Sequence, residues 1–422
     1  MTATAEKKCC LSDIFKPAAA RSETGPLAPA AVPSFAVEAG PFSLRFGARI
    51  DELGADWDFG GAASNLLLDR RYLRVLEQAP PAGIDFGYLL YYREGRPMGK
   101  AILQYIDFDA ATHLKAQREV DDREGMEARV KRALARRLKY RVLVCGNLLF
   151  TGEHAYSFDQ RFIKEPEALT LLRKSLDWLA ARDPVDAVLI KDILASQGRR
   201  VPAQFEASDY HRIAFQPNMV LDLRSEWRSL SDYLDSMTSK YRVRARRAFK
   251  KGKTLVRRDL SATEVAGLES QLFRLYRAVA DEADFNLFHL HRRYFSYLKA
   301  QLPEHCRIRA YFQEEQLVGF YSTLQNGAVR EAHFLGFDPQ VNRDVQLYLN
   351  MLYDIIGEGL EAGDSAIVFA RTAMEIKSSV GARAVDMDLL LRANNSWFNK
   401  LLPTLIHLLE PKVNWTPRHP FK

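Results

Sequence analysis

The sequence predicts an α/β (α+β) protein built from two tandem copies of one unit, each a mixed central sheet flanked by helices. Three observations carry this reading. The segment RRYLRVL (70–76), a proline break and FGYLLYYREGRPMGKAILQ (86–104) return as RRYFSYL (292–298), another proline break and RIRAYFQEEQLVGFYSTLQ (307–325). Tyr72 matches Tyr294 at an offset of 222 (294 − 72), and Gly99 matches Gly319 at 220 (319 − 99). Apolar strand-like runs alternate with helical periodicity after both copies, the pattern of a layered α/β domain. At 422 residues the chain is long enough for each copy to bury its own core.

The elements follow in order. Residues 1–40 are rich in Ala, Pro, Ser and Thr and poor in large apolar groups, so they cannot offset the entropy of ordering and are expected to form a tail. The first unit, 41–224, should hold a helix over 64–78, strands over 87–92 and 98–105 joined by a turn at 93–97, and a charged helical stretch over 110–140. A buried strand over 141–150, a helix over 165–181 and a strand over 185–190 complete it. The remainder, 225–422, opens with a helix over 225–251 that becomes strongly basic. Helices over 263–283 and 287–301, a hairpin over 307–324, strands over 330–337, 366–370 and 384–391, and helices over 344–361 and 396–409 follow.

Composition narrows the class. Hydrophobic content of 47% with 27% charged residues is that of an ordinary globular protein, and no run approaches the 18 apolar residues of a membrane span. The first residues lack the apolar core of a secretory signal, so a cytoplasmic location is expected. Cys9 and Cys10 adjoin in the tail while Cys145 and Cys306 sit in strand-like runs, which predicts neither a disulfide nor a metal site. The net charge of +7 favours anionic partners such as phosphates, nucleotides or RNA without choosing among them.

The order hairpin, third strand, long helix, further strand resembles the core of GNAT acyltransferases. Two such cores joined by a basic helix resemble the Fem-type peptidyltransferases and the related BioF2-like acetyltransferase group, over roughly 42–410. The specific segments are DYLDSMTSKYRVRARRAFKKG (232–252), ARTAMEIKSSVGA (370–382) with its Lys-x-x-x-Gly from Lys377 to Gly381, and VCGNLLFTGEH (144–154). The resemblance implies acyl transfer to an amine, with acyl-CoA as donor or, as in Fem-type enzymes, aminoacyl-tRNA and a cell-wall peptide precursor. One departure stands out: PQVNRDVQLY (339–348) lacks the glycine pattern with which a GNAT loop brings backbone N–H groups to a pyrophosphate. A non-catalytic RNA or anionic-ligand binder that kept the fold is the reading from another class.

Candidate site residues fall mainly in the second unit. Lys240, Arg244, Arg247 and Lys251 share one face of the basic helix, beside a stripe of Leu234, Met237, Tyr241, Ala245 and Ala248 that can dock on a core. Lys240, Tyr241, Arg244 and Arg247 are assigned to substrate, because arginine forks grip phosphate. In 370–382, Glu375 is a candidate base and Lys377 or Arg371 a candidate oxyanion partner. The bland alternative is an Arg371–Glu375 i, i+4 pair with Lys377 at the surface. Arg371, Asn342, Arg343 and Tyr348 are assigned to the donor, Tyr348 by likeness to GNAT tyrosines that protonate a departing thiolate. His333 is a second candidate base, on the strand with Gly336 that faces the acyl group in GNAT proteins; a core histidine is the alternative. Asn147 is expected to shape a groove-lining turn and is assigned to substrate. Asp386 and Asp388 alternate outward on the last strand, where either could touch substrate, with Asp388 assigned to it and a surface carboxylate the alternative. Cys145 is expected to be a buried thiol rather than a nucleophile.

Overall fold

The computed structural model describes residues 34–37, 40–60, 65–109, 139–194, 202–283, 286–409 and 415–422. Most of the expected tail and most of the charged stretch at 110–140 lie outside them. The strands are β1 (Ser34–Val37), β2 (Gly40–Gly47), β3 (Ile84–Arg93), β4 (Arg96–Asp109), β5 (Lys139–Cys145), β6 (Tyr156–Phe158), β7 (Ala187–Leu194), β8 (His211–Ala214) and β9 (Asn218–Asp222). They continue with β10 (Val256–Asp259), β11 (Cys306–Gln313), β12 (Gln316–Asn326), β13 (Val329–Phe337), β14 (Ala366–Val368), β15 (Arg383–Val385) and β16 (Met387–Ala393). The helices are α1 (Arg70–Gln78), α2 (Glu165–Arg182), α3 (Ala203–Glu206), α4 (Leu230–Ser236), α5 (Ser239–Lys251) and α6 (Ala262–Gly267). After these come α7 (Glu269–Ala280), α8 (Tyr294–Gln301), α9 (Pro339–Val345), α10 (Leu347–Ala362), α11 (Met374–Ser379) and α12 (Ser396–Leu409).

Two mixed sheets form. The first runs β1-β2-β3-β4-β5-β7-β16-β8, with β6 also paired to β4; the second runs β10-β11-β12-β13-β14-β9-β15. The repeat is visible in both: an antiparallel hairpin (β3/β4, β11/β12), a third antiparallel strand (β5, β13), then a parallel neighbour (β7, β14). The two chain halves are not separate, however. The last strand expected in the second unit divides in two: β15 stays in the second sheet beside β9, while β16 crosses to the first sheet between β7 and β8. β9, which precedes residue 225, conversely pairs with β14 of the second sheet. A cut between 224 and 225 would therefore remove a strand from each sheet.

The duplicated helices pack on each other. α1 and α8 lie side by side, and one core joins Tyr72, Leu73 and Leu76 to Tyr294, Phe295 and Leu298. Each such buried side chain contributes about 1.5–3 kcal/mol. Tyr72 and Tyr294, equivalent in the repeat, are both fully buried, with Tyr72 Oη accepting from Asn147 (3.2 Å) and Tyr294 Oη bonded to His333 (2.7 Å). Two further cores lie around α2 with the first sheet and around α5, α10 and the second sheet, and a smaller one packs Leu287 and Phe288 against Ile84, Ile106 and Val142.

Local chemistry moved several boundaries. The helix expected from 64 starts at Arg70, because the Asp69 carboxylate caps it by accepting from Arg71 N–H at 2.7 Å; a 3-10 turn, Leu66–Leu68, precedes it. The basic segment is two helices. Met237 is drawn into a bridge with Phe421, which ends α4, and α5 starts at Ser239. The long helix expected from 344 begins at Leu347, since Gln346 adopts a left-handed conformation (φ 52°) between α9 and α10.

Candidate active site

β13 and β14 pair only through Val329–Glu331 and Ala366–Val368, yet β13 runs on to Phe337. The two strands therefore part beyond Glu331. Three non-glycine residues just past β14 have left-handed backbones: Ala370 (φ 57°), Thr372 (φ 69°) and Ala373 (φ 45°). Such conformations cost on the order of 1 kcal/mol each and persist only where surroundings enforce them. Here Phe369 N–H donates to Met219 O (2.8 Å), and Lys377 Nζ donates to the carbonyls of Arg371 (2.6 Å) and Ala370 (3.3 Å). Lys377 was expected at the surface or in contact with substrate; it is buried, and burial pulls its ammonium down to about 7. It braces the strained loop from beneath.

Between α5 and α11 lies an open cleft of about 910 Å³. α5 supplies Lys240, Tyr241, Arg244 and Arg247; Gln346 marks the α9–α10 junction, and α11 supplies Glu375 and Ile376. Arg418, from the segment 415–422, closes the far side. The sequence places α5 in this way through its small apolar stripe: Met237, Ala245 and Ala248 are fully buried, so the helix lies close on α10 with its cations outward. Asn350, wholly buried, fastens the contact by donating to the carbonyls of Ala248 (3.0 Å), Val345 (3.1 Å) and Gln346 (3.1 Å). Of the cations on α5, Arg242 is tied to Asp235 (3.6 Å) and Met237 O (2.9 Å), whereas Lys240, Arg244 and Arg247 form no ion pair among the described residues.

Glu375 is exposed. It accepts from Arg418 (3.0 Å) and Thr416 N–H (3.2 Å), and the Arg418 guanidinium holds its carboxyl below the usual range. It is therefore fully ionised at neutral pH. The expected alternative, a pair with Arg371, does not form. Arg371 instead reaches the first unit, where its guanidinium pairs with Asp192 and its Nε donates to Gln216 O at 2.8 Å. Asp192 is buried, with φ 56°, and also binds Lys191 and Gly152 N–H (2.9 Å).

The other candidates are dispersed. Asn342 does not face the cleft; its Oδ1 accepts from Tyr348 N–H at 2.8 Å, so α9 satisfies a donor that a GNAT loop would offer to pyrophosphate. Arg343 is exposed on α9, and Tyr348 is half-buried against Phe337, its hydroxyl kept protonated by burial. His333 hydrogen-bonds the Tyr294 hydroxyl (2.7 Å) and stacks on Phe150 at 4.2 Å; burial takes it down to about 3, so it stays neutral and is a poor base. Gly336 faces helix α7 rather than an acyl group: a Cβ there would lie 2.4 Å from the backbone of Leu275 and Tyr276. Asn147 is buried, donating to Tyr72 Oη (3.2 Å) and accepting from Leu149 N–H (3.0 Å). Asp388, expected to point outward, is buried and paired with Arg212 at 2.5 Å. Cys145 is buried and its thiol is pushed up to about 12.

Between the units the sequence reading missed a polar junction. Glu331, buried and raised to about 8 by desolvation, lies 3.6 Å from His154 Nε2, whose other ring nitrogen meets Asn65 at 2.8 Å. Asn65 in turn accepts from Asn326 at 3.1 Å. Arg418 was missed as well; the aromatic and basic run WTPRHPFK at 415–422 was its one available signal.

No family model matches the chain, and no curated protein matches it by sequence. Among solved structures it is similar to FemX, at 11% identity and a TM-score of 0.52, over 85% of this chain and 99% of that one. It is also similar to a tandem GNAT protein from the clavulanic acid biosynthesis pathway (11%, TM-score 0.46, 83% of this chain and 98% of that one). L-PGS from Bacillus licheniformis is a third (12%, 0.44, 80% and 96%). With the strand order above, the likeness to FemX shows the fold: two GNAT-like units in tandem.

Proposed function

We propose that the protein is an N-acyltransferase that moves an acyl group from a phosphate-bearing donor, acyl-CoA, to an amine, and that the α5–α11 cleft is its donor site. The observation that carries this reading is the cleft itself: three cations of α5 that form no ion pair among the described residues, and one carboxylate, line it together. Because α9 takes the place of the glycine loop, donor phosphates are gripped by the side chains of Lys240, Arg244 and Arg247. Tyr241 and Ile376 give the apolar part of the donor a surface.

The chemistry then follows from charge. The acceptor ammonium must lose a proton, and the ionised Glu375 carboxylate is the group at the cleft that can take it. The freed amine nitrogen bonds to the acyl carbon, the carbon–sulfur bond breaks, and the electron pair leaves with sulfur. The nitrogen gives up a second proton as it becomes an amide, and this balances the one taken up by the thiolate; Tyr348, near the start of α10, passes its hydroxyl proton to sulfur and recovers the nitrogen's. Lys377 and Arg371 act as supports, because both spend their donors on the protein.

A second reading has its own observation. Arg246, Lys250, Lys251 and Lys253 are exposed and continue the positive surface beyond the cleft, as a longer polyanion such as aminoacyl-tRNA would require. In that case the donor bond is an ester, and the acceptor a cell-wall peptide precursor. Steeply salt-dependent tRNA binding distinguishes it, with log affinity falling by about 0.9 per phosphate contacted for each decade of salt on duplex stems.

Thiol release from acetyl-CoA, followed with a panel of amines, tests the leading reading. Glu375→Gln is expected to lower kcat by about 10²-fold, and Arg244→Ala to act mainly on KM. Unchanged turnover in both variants would remove Glu375 and α5 from the reaction.

A further inference from the structure

The segment 415–422 is pinned at several points. Thr238 N–H donates to Pro420 O (2.8 Å), Lys422 N–H to Ser236 O (3.3 Å), and Arg418 N–H to Ser378 Oγ (3.1 Å). Phe421 fills a box made by Trp227 (5.0 Å) and Tyr233 (5.7 Å), with the Arg224 guanidinium over its ring at 4.9 Å. Gly381 (φ 96°) forms the floor, and a Cβ on it would come within 2.3 Å of the Phe421 ring. The backbone of Arg418 is thus fixed while its side chain, 41% exposed, reaches into the cleft.

In the cleft the Arg418 guanidinium has one carboxylate partner among the described residues, Glu375, itself 50% exposed. An exposed ion pair of this kind is weak, because water screens both charges and two side chains must be held in place. A phosphate offers the same guanidinium more charge and two acceptor oxygens in fork geometry. While paired, Glu375 is also a poor proton acceptor, since the neighbouring cation stabilises its ionised form.

We infer that Arg418 is an exchangeable clamp, which leaves Glu375 for a phosphate of the donor and so frees the carboxylate for the acceptor amine. This rests on the donor-site reading above. It makes Arg418 a donor-binding residue, held by Phe421, and it couples donor binding to release of the base: the carboxylate becomes available only when a phosphate has taken its partner. Without donor, the pair keeps the base covered.

Calorimetric titration of the full chain with inorganic pyrophosphate tests both levels. Arg244→Ala probes the donor site and is expected to weaken binding about tenfold. Glu375→Gln releases Arg418 beforehand and should tighten binding about threefold. The decisive comparison is Arg418→Ala/Glu375→Gln against Glu375→Gln alone, which removes the repulsion that a lone Glu375 would add. The clamp predicts binding at least about tenfold weaker in the double variant. Affinities within about twofold of each other overturn the clamp, because Arg418 then never touches the phosphate. If Arg244→Ala has no effect, or the wild type shows no saturable binding, the donor-site reading falls and the clamp with it. An Arg244 effect without an Arg418 effect sinks the clamp alone. All the substituted side chains are at least partly exposed, and matching thermal transitions confirm that each variant is folded.

Discussion

Asp192→Ala is expected to destabilise the protein by about 3–5 kcal/mol at neutral pH, the usual cost of removing one member of a buried charge cluster. Asp192 is buried and lies between two cations, Lys191 on its own strand and Arg371 from the other unit. Deleting the carboxylate leaves both cations without a counter-charge there, Lys191 with Phe150 O (2.5 Å) and Arg371 with Gln216 O (2.8 Å) and the Thr151 hydroxyl (3.5 Å). Gly152 N–H loses its acceptor as well. The deficit should depend on pH in a defined direction. Burial already lowers Lys191 to about 8, and loss of Asp192 lowers it further. A lysine whose folded pKa lies below its unfolded value of about 10.4 gives up its proton more readily in the folded state, so stability rises with pH. Chemical denaturation at pH 7 and pH 9.5 should therefore show a smaller deficit at the higher pH. A variant as stable as wild type at pH 7 would mean that the junction does not hold the units together.

Gly336→Ala is expected to cost about 3 kcal/mol, at the upper end of overpacking effects. Most small-to-large changes are absorbed by side chains that rotate away. Here the added Cβ would meet the backbone of Leu275 and Tyr276 at 2.4 Å, so helix α7 itself must move. That helix packs extensively along β13. Its displacement would disturb Tyr276, whose hydroxyl accepts from Leu290 N–H (3.2 Å), and Phe334 beneath it. Thermal unfolding measures the effect, and a transition unchanged from wild type would show that α7 can shift without cost.

The architecture was legible because it was written twice. The Tyr72/Tyr294 and Gly99/Gly319 matches located both hairpins, and the paired tyrosines share one core at the contact between α1 and α8. The exchange of β9 and β16 between the sheets was not legible. A short apolar run such as MDLLLRA (387–393) carries no mark of which sheet it will join, since both would bury its apolar side chains.

The site was legible in part. Spacing put Lys240, Arg244 and Arg247 on one outward face, and the fold brings them to the same cleft as Glu375. Lys377, Arg371, Asn147 and Asp388 have the residue types of an active site, but their donors and acceptors are used within the protein. A sequence shows which polar groups exist; it does not show which are already satisfied. Arg418 and Asp192 escaped notice for the opposite reason. The carboxylate paired with Arg418 lies 43 residues away, and the arginine paired with Asp192 lies 179 away.

The most direct test of the central claim is a crystal structure of the protein soaked with acetyl-CoA or coenzyme A. The account predicts the phosphates in the α5–α11 cleft, within hydrogen-bonding distance of Arg244 and Arg247, with the pantetheine arm running into the wedge between β13 and β14. Phosphates bound at the first sheet, or at the N-terminus of α10 with the α5 side chains left untouched, would contradict it.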